Sequence, residues 1–486
     1  MTTLRVRSPE FPRDLPWLNS KKPLTIKGLR GRVILLDFWT YGCINCIHSL
    51  NDLKYLEQKY QDCLTVIGIH TAKFDNEQEL ENIRQAILRY DIRHPVVIDR
   101  ELKIWDSFAA RALPTWVLID PEGYCIARLA GEGHRQRIDD AIAQLQANNA
   151  ISDSPLQLEL EQASQPPTPL YFPGKLYADS HRLFIADSHH HRIIISSLDG
   201  KIDRVIGTGK AGRKDGYFEQ AQFCQPQGLV RDRDRLYVAD TGNHLIRCLD
   251  LTQEIVTTIA GTGNQSRIFD PHGGLAREID LNSPWDLVYL NQSLYIAMAG
   301  SHQIWKLDLN HNTIQTYAGR GAEVCLDGEL LEAGFAQPSG IATDGQALYI
   351  ADSEASSIRR IEFGSHPQVI TLCGSRDLFD FGDVDGIAEA VRLQHCLGIT
   401  FAGGWLWVAD TYNHKIKRIT PETGRCCAVT KAEFNEPSGL SFAQDWLYIA
   451  DTNNHRICRL NLHELTLETL DFPGLCAPDA CFLPSA

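Results

Sequence analysis

Two cysteines three positions apart, Cys43 and Cys46, follow an apolar run from Val33 to Phe38 and open a stretch with helical spacing, Ile47, Leu50, Leu53, Leu56 and Tyr60. A helix N-terminus presents unpaired N–H groups and partial positive charge, so a cysteine placed there gains thiolate character. The pattern predicts Cys43 as the attacking thiolate and Cys46 as the resolving thiol, near enough to close a disulfide once a mixed disulfide has formed. Two plainer readings stay open on the residues alone: an inert structural pair, or half of a zinc site with His48 as its local third ligand.

The pair needs a scaffold, and residues 1–147 supply an alternation of strands and helices. Apolar runs at 33–38 and 64–69 have the composition of buried parallel strands, and 94–99 is a third. Asn76 with Glu79 reads as the capped start of a helix through Tyr90. Strands at 115–119 and 124–129 flank a turn, Asp120-Pro-Glu-Gly123, and a last helix runs from about His134 to Gln146. The order predicts an α/β domain with a mixed sheet. Residues 148–169, rich in Asn, Ser, Gln and Pro, read as a linker, in which the alternation Leu156 to Leu160 is a possible extra strand.

Residues 170–475 repeat. Pro226, Asp240 and His244 recur as Pro173/Asp187/His191, Pro284/Met298/His302, Pro338/Asp352/Ser356, Cys396/Asp410/His414 and Pro437/Asp451/His455, at constant spacing. Each copy holds about four short strands, which predicts six blades of a β-propeller, followed by a tail at 476–486. The recurring Asp and His side chains read as turn-holding groups rather than a ring of metal ligands. Asp215-Gly216, Asp327-Gly328 and Asp385-Gly386 precede three blades, whereas the third blade has Gly273-Gly274 there. These aspartates read as a solvated rim, with Ca²⁺ or a basic partner as the alternative.

The 486 residues are 43% hydrophobic and 22% charged, a soluble globular composition. Residues 1–150 hold 20 basic and 19 acidic side chains, so the acidic excess lies in the repeats and argues against nucleic acid as a partner. No apolar stretch reaches the ~20 residues of a membrane helix, the start has no secretory pattern, and most of the 14 cysteines sit singly in apolar runs. The expectation is a cytoplasmic protein with reduced thiols and no membrane association. Oligomeric state is not readable from the chain.

Asp37-Phe-Trp39 followed by Cys43-Ile-Asn-Cys46 resembles thioredoxin-like proteins, and the Pro-x-Gly-Leu and Ala-Asp-Thr-x-Asn-His stretches resemble NHL repeats. Together with His70-Thr-Ala-Lys-Phe74, the combination resembles the NHL repeat-containing protein 2 family over about residues 1–475. The resemblance implies a multidomain chain, an α/β thioredoxin-like domain followed by an all-β six-bladed NHL propeller. It also implies that Asp37 takes the Cys46 proton, that Pro114 is a cis-proline facing the disulfide, and that Trp39, Gly42, Ile44, Asn45 and Leu113 shape a substrate groove. Animal members of the family carry an additional C-terminal β-domain, which is expected to be lacking here. Gly42 and Ile44-Asn45 depart from thioredoxin itself, so neither a redox potential nor a direction of electron flow carries over. The implied function is thiol–disulfide exchange without a cofactor or metal beyond the Cys43–Cys46 pair, on a protein substrate that the propeller rim helps bind. The alternatives are a non-catalytic scaffold or redox sensor and, on fold analogy alone, a metal-dependent propeller hydrolase or lyase.

Overall fold

A computed structural model describes residues 6–148, 158, 160–161, 166–267, 272–429 and 433–478. The chain divides into two compact units, 1–166 and 167–486.

The first unit is built on a seven-stranded mixed sheet. Its strands are β1 (Val6–Arg7), β2 (Trp17–Leu18), β3 (Val33–Trp39), β4 (Leu64–His70), β5 (Val96–Ile98), β6 (Thr115–Ile119) and β7 (Tyr124–Ala130), in the order β1-β7-β6-β3-β4-β5-β2. Strands β3, β4 and β5 are parallel and β6 runs antiparallel to β3. Every residue of β3 and β4 is buried, because these central strands are covered on both faces and their sequences are accordingly near-continuous apolar runs. Four helices accompany the sheet: α1 (Ile44–Lys59), α2 (Leu80–Arg89), α3 (Lys103–Ser107) and α4 (Arg135–Asn148). The edge strands β1 and β2 and the short α3 carry no periodic signal. The expected helix start at Asn76 is also displaced. Asp75–Gln78 form one 3-10 turn, α2 begins at Leu80, and the side chain that folds back on the chain is Glu77 rather than Glu79.

The second unit is a propeller of six antiparallel sheets. Its innermost strands are Leu176–Ala178, Pro226–Asp232, Pro284–Leu290, Pro338–Thr343, Gly398–Ala402 and Pro437–Ala443. Apolar side chains lie between successive blades. Phe184, Ala186, Ile193 and Ile195 face the second blade, while Leu183, Ile185 and Ile194 face the sixth. This two-residue alternation, with both faces buried, is why a blade strand reads Leu-Tyr-Ile-Ala with no polar face.

Among the described residues each blade is built from consecutive strands, the sixth included. The outer strand of the sixth blade is Leu467–Thr469, paired with Arg456–Asn461. The possible strand at 156–160 lies largely outside the described residues. Beyond the last strand, Phe472 and Leu475 pack against the same buried cluster, with Leu170, Leu183 and Ile185 in it, as Leu198 and Ile202 of the first blade. Cys476 is disulfide-bonded, unlike the twelve free cysteines among the described residues, and so departs from the expectation of reduced thiols.

The recurring histidines adopt left-handed backbone (φ 52–56°), and each accepts at Nδ1 a backbone N–H of the next blade. The closing seam uses the same bond, Phe172 N–H to His455 Nδ1 at 3.1 Å. Where Ser356 replaces histidine, its Oγ accepts His395 N–H at 3.1 Å. These residues pin blade to blade, and this is why serine can stand in for histidine.

The rim aspartates are solvent-facing, Asp215 and Asp385 exposed and Asp327 partly so, and each also grips a buried cation. Asp215 pairs with Arg247 at 2.7 Å, and the fully buried Arg247 also reaches Asp240 at 2.7 Å. Asp327–Arg359–Asp352 repeats the clamp, and Asp385 and Asp383 meet Asp410 through buried Lys417. Burial pushes Asp240, Asp352 and Asp410 up to about 6 against the pull of these cations. In the third blade the three positions are Gly273, Trp305 and Met298, an apolar set with no charge left over. Blades one and six, which lack the Asp-Gly insertion, pair Asp187 and Asp451 with Arg192 and Arg456 instead.

Candidate active site

The seven buried residues of β3 end at Trp39, and the chain turns through Thr40, Tyr41 and Gly42 into the helix that Cys43 caps. Cys43 has extended backbone (φ −82°, ψ 114°), and its carbonyl accepts the N–H of Cys46 and of Ile47 at 3.1 Å. No acidic residue occupies the first turn of the 16-residue α1, so the positive end of the helix is left uncompensated beside the Cys43 thiol. Cys43 is partly exposed, Cys46 is fully buried, and both are free thiols. Burial, then the hydrogen bond and charge of Cys43, push the Cys46 thiol well above the ordinary thiol range, and the charge of Asp37 adds to this. One thiol faces solvent and the other is held protonated behind it.

Asp37 is 0% exposed. Its Oδ1 accepts the indole N–H of Trp116 at 2.9 Å, and its Oδ2 has no hydrogen-bond partner among the described residues. Burial raises this carboxyl from 3.8 to about 7, outweighing the stabilising influences of His94 and Trp116. A carboxyl in that range exchanges protons near neutral pH, and its charge is felt by Cys46.

The Leu113–Pro114 peptide is cis. Pairing of Phe38 with Thr115 brings Pro114 to the end of β3 from which the cysteine loop departs. Of the residues expected to shape a groove, Asn45 and Leu113 are partly exposed, whereas Trp39, Gly42 and Ile44 are buried and offer a substrate no surface. Trp39 lies two residues beyond Asp37 on the same inward face of β3, its ring edge-on to His70 at 5.2 Å.

Glu77 was not signalled by the sequence. Fully buried, it accepts the N–H of Gly42 at 3.0 Å, of Lys73 at 2.8 Å and of Phe74 at 3.0 Å, fixing the residue before Cys43 to the loop after β4. Tyr41 adds a second tie, its hydroxyl donating to the Asn76 carbonyl at 3.2 Å. The zinc alternative finds no complete ligand set: His48 Nδ1 is engaged by Glu132 at 2.9 Å, and no group of three His, Cys, Asp or Glu among the described residues is placed to hold a metal.

A thioredoxin-like family model matches residues 31–125 and an NHL-repeat model matches 223–249. NHL repeat-containing protein 2 of Bos taurus is 41% identical over 484 residues, a match running through both units and covering 89% of this chain. The chain belongs to the NHL repeat-containing protein 2 family. It spans 66% of the bovine relative's length. The protein SUPPRESSOR OF QUENCHING 1, chloroplastic, of Arabidopsis thaliana is 41% identical over 89% of this chain and 44% of its own. The thiol-disulfide oxidoreductase YkuV of Bacillus subtilis is 26% identical over 121 residues, 25% of this chain and 80% of its own. Within the family frame, the NHL profile detects one blade, while the fold carries five further copies of it.

Proposed function

We propose that this chain is a thiol–disulfide oxidoreductase acting on protein disulfides. The thioredoxin-like unit and its oxidoreductase relatives support a redox function, and the NHL propeller supports protein binding. The observation that carries the finer reading is the asymmetry of the pair: a partly exposed thiol capping a helix, backed by a buried thiol beside a carboxyl raised to about 7. Cys43 thiolate attacks a substrate disulfide and expels one sulfur as thiolate. Asp37 takes the Cys46 proton, and Cys46 attacks Cys43 to release the second substrate sulfur. The exposed surface nearest the chemistry is that of Cys43, Asn45 and Leu113, and the propeller serves as a protein-binding platform. No cofactor enters beyond the pair itself, and a reducing compartment such as the cytoplasm suits the twelve free thiols.

Among the described residues no helix is long and apolar enough to cross a membrane. The test is a redox titration of the full chain against glutathione buffers, with thiols trapped and located by mass spectrometry. Cys43 and Cys46 should interconvert together, Cys43 should alkylate well below the ~8.5 of an ordinary thiol, and Cys43→Ser should abolish exchange. A pair that stays reduced and alkylates ordinarily, with partner binding unchanged in Cys43→Ser, would make the chain a scaffold.

A further inference from the structure

His48 follows Cys46 by two residues on α1, and neither a metal nor the exchange chemistry above employs it. Its side chain is 8% exposed, and its Nδ1 lies 2.9 Å from Glu132 Oε2. A carboxylate oxygen only accepts, so Nδ1 carries the hydrogen and donates it. Glu132 belongs to the turn after β7, where it stands between Gly131 and Gly133, both left-handed at φ 84° and 85°. Glycine alone adopts that backbone freely, here on both sides of Glu132. The same turn grips the cis-proline segment. Gly131 N–H donates to the Pro114 carbonyl at 2.8 Å, and Ala130 is the register partner of Thr115. Pro114 precedes Thr115, which pairs with Phe38, so it lies at the end of β3 from which the cysteine loop leaves. A continuous tie therefore runs from α1 through His48, Glu132 and Gly131 to Pro114.

We propose that His48 and Glu132 form a strut that fixes the spacing between the Cys43 helix and the cis-proline segment, and that this spacing makes the pair select polypeptide disulfides over small ones. The inference rests on the thiol–disulfide reading above. The two partly exposed residues nearest Cys43 belong to the two ends of the strut: Asn45 sits on α1 with His48, and Leu113 forms the cis bond with Pro114. A polypeptide laid beside Cys43 meets both, so its disulfide reaches the sulfur in line only when their separation is held. A small disulfide that meets Cys43 alone is indifferent to that separation. Misplacing a reacting group by about 1 Å costs up to about 100-fold in rate, so a loosened strut is felt by the polypeptide. The sheet also relates the two segments, but through the backbone register of β3 and β6, whereas the strut joins them through a side-chain pair. His48 and Glu132 act through the elements they join and are positioning residues.

The test measures second-order rate constants of the reduced full chain with a disulfide-bonded peptide and with a small aromatic disulfide. In His48→Ala and in Glu132→Ala the ratio of the peptide rate to the small-disulfide rate should fall by about tenfold, and the double variant should fall no further than either single one. His48→Asn, whose side-chain N–H stands where Nδ1–H was, should recover most of the ratio. General loosening of the unit slows both substrates together and leaves the ratio in place. Gly131 N–H should also exchange with deuterium about tenfold faster in both alanine variants. A ratio within about twofold of wild type in His48→Ala overturns the strut, as does a double variant that loses the product of the two single losses, or a loss that His48→Asn does not relieve. Should His48→Ala fail to fold, Glu132→Ala, on a turn where the side chain is 21% exposed, decides alone. If wild type reacts with neither disulfide, or if Cys43→Ser reacts as fast as wild type, the redox-pair reading fails and selection fails with it, while Gly131 exchange still reports whether the tie is there.

Discussion

Replacing Asp37 by asparagine should make the first unit more stable and the proposed thiol exchange far slower, with the stability gain growing as the pH rises. Folding moves this carboxyl from 3.8 to about 7. A carboxyl raised on folding contributes stability that is complete below pH 3.8 and is lost as the pH climbs to about 7. At about 1.4 kcal/mol per pH unit, wild type loses about 4 kcal/mol across that window, of which about 2–3 kcal/mol falls between pH 5 and pH 8. Asparagine keeps the acceptor for Trp116 and carries no charge, so it should escape this loss. The assay is denaturant unfolding of the full chain at both pH values, read for the first unit by alkylation of Cys63, which is 2% exposed when folded. Asp37→Asn should exceed wild type at pH 8 by about 2–3 kcal/mol more than it does at pH 5, while its Cys46 resolving step slows about 100-fold. A difference between the two proteins that is the same at both pH values would refute the burial argument.

The charge clamps predict a reversal. Arg359→Met strands Asp352 and should cost about 3–5 kcal/mol in propeller unfolding, whereas Asp327→Gly, Arg359→Trp and Asp352→Met together, copying the third blade, should recover most of it. Burial lowers His414, whose Nδ1 must stay unprotonated to accept the Glu436 N–H. Its contribution is therefore present above pH 6.5 and is lost as the pH falls. His414→Ser should shift the acid unfolding midpoint downward, and His414→Ala should cost about 1 kcal/mol at pH 8. Glu77→Ala frees three amides, those of Gly42 and Phe74 buried, so Gly42 N–H should exchange faster with deuterium and Cys43 should react more slowly, with a stability loss of about 2 kcal/mol.

What could be read from the sequence was set by spacing along the chain. The Cys-x-x-Cys at a strand-to-helix junction, the offset of Asp37 and the period of the blades are local patterns, and they survive folding unchanged. The partners of Asp37 are not local: Trp116 comes from β6, and His94 precedes β5. Only strand register brings them to β3. Glu77 was masked for a different reason, since Asn76 and Glu79 offered a plausible helix cap and the chain used the residue between them to hold Gly42. The rim aspartates were read by residue type as solvent-facing, which left out the buried cation that each one grips. The signal that corrects this was present: a basic residue stands seven positions after Asp240, Asp352 and Asp410, and in the third blade all three members of the set change together.

Among the described residues the seam of the ring is covered by the last blade and the short stretch after it. During synthesis the first blade emerges with Leu183, Ile185 and Ile194 facing a neighbour that does not yet exist. Every later blade finds its predecessor waiting. At about 5–20 residues per second, that face stays bare on the ribosome for roughly 15–60 s, until Phe472 and Leu475 arrive. The unmet surface is the one most exposed to capture by another nascent chain, so the first blade is where co-translational chaperones have most to do.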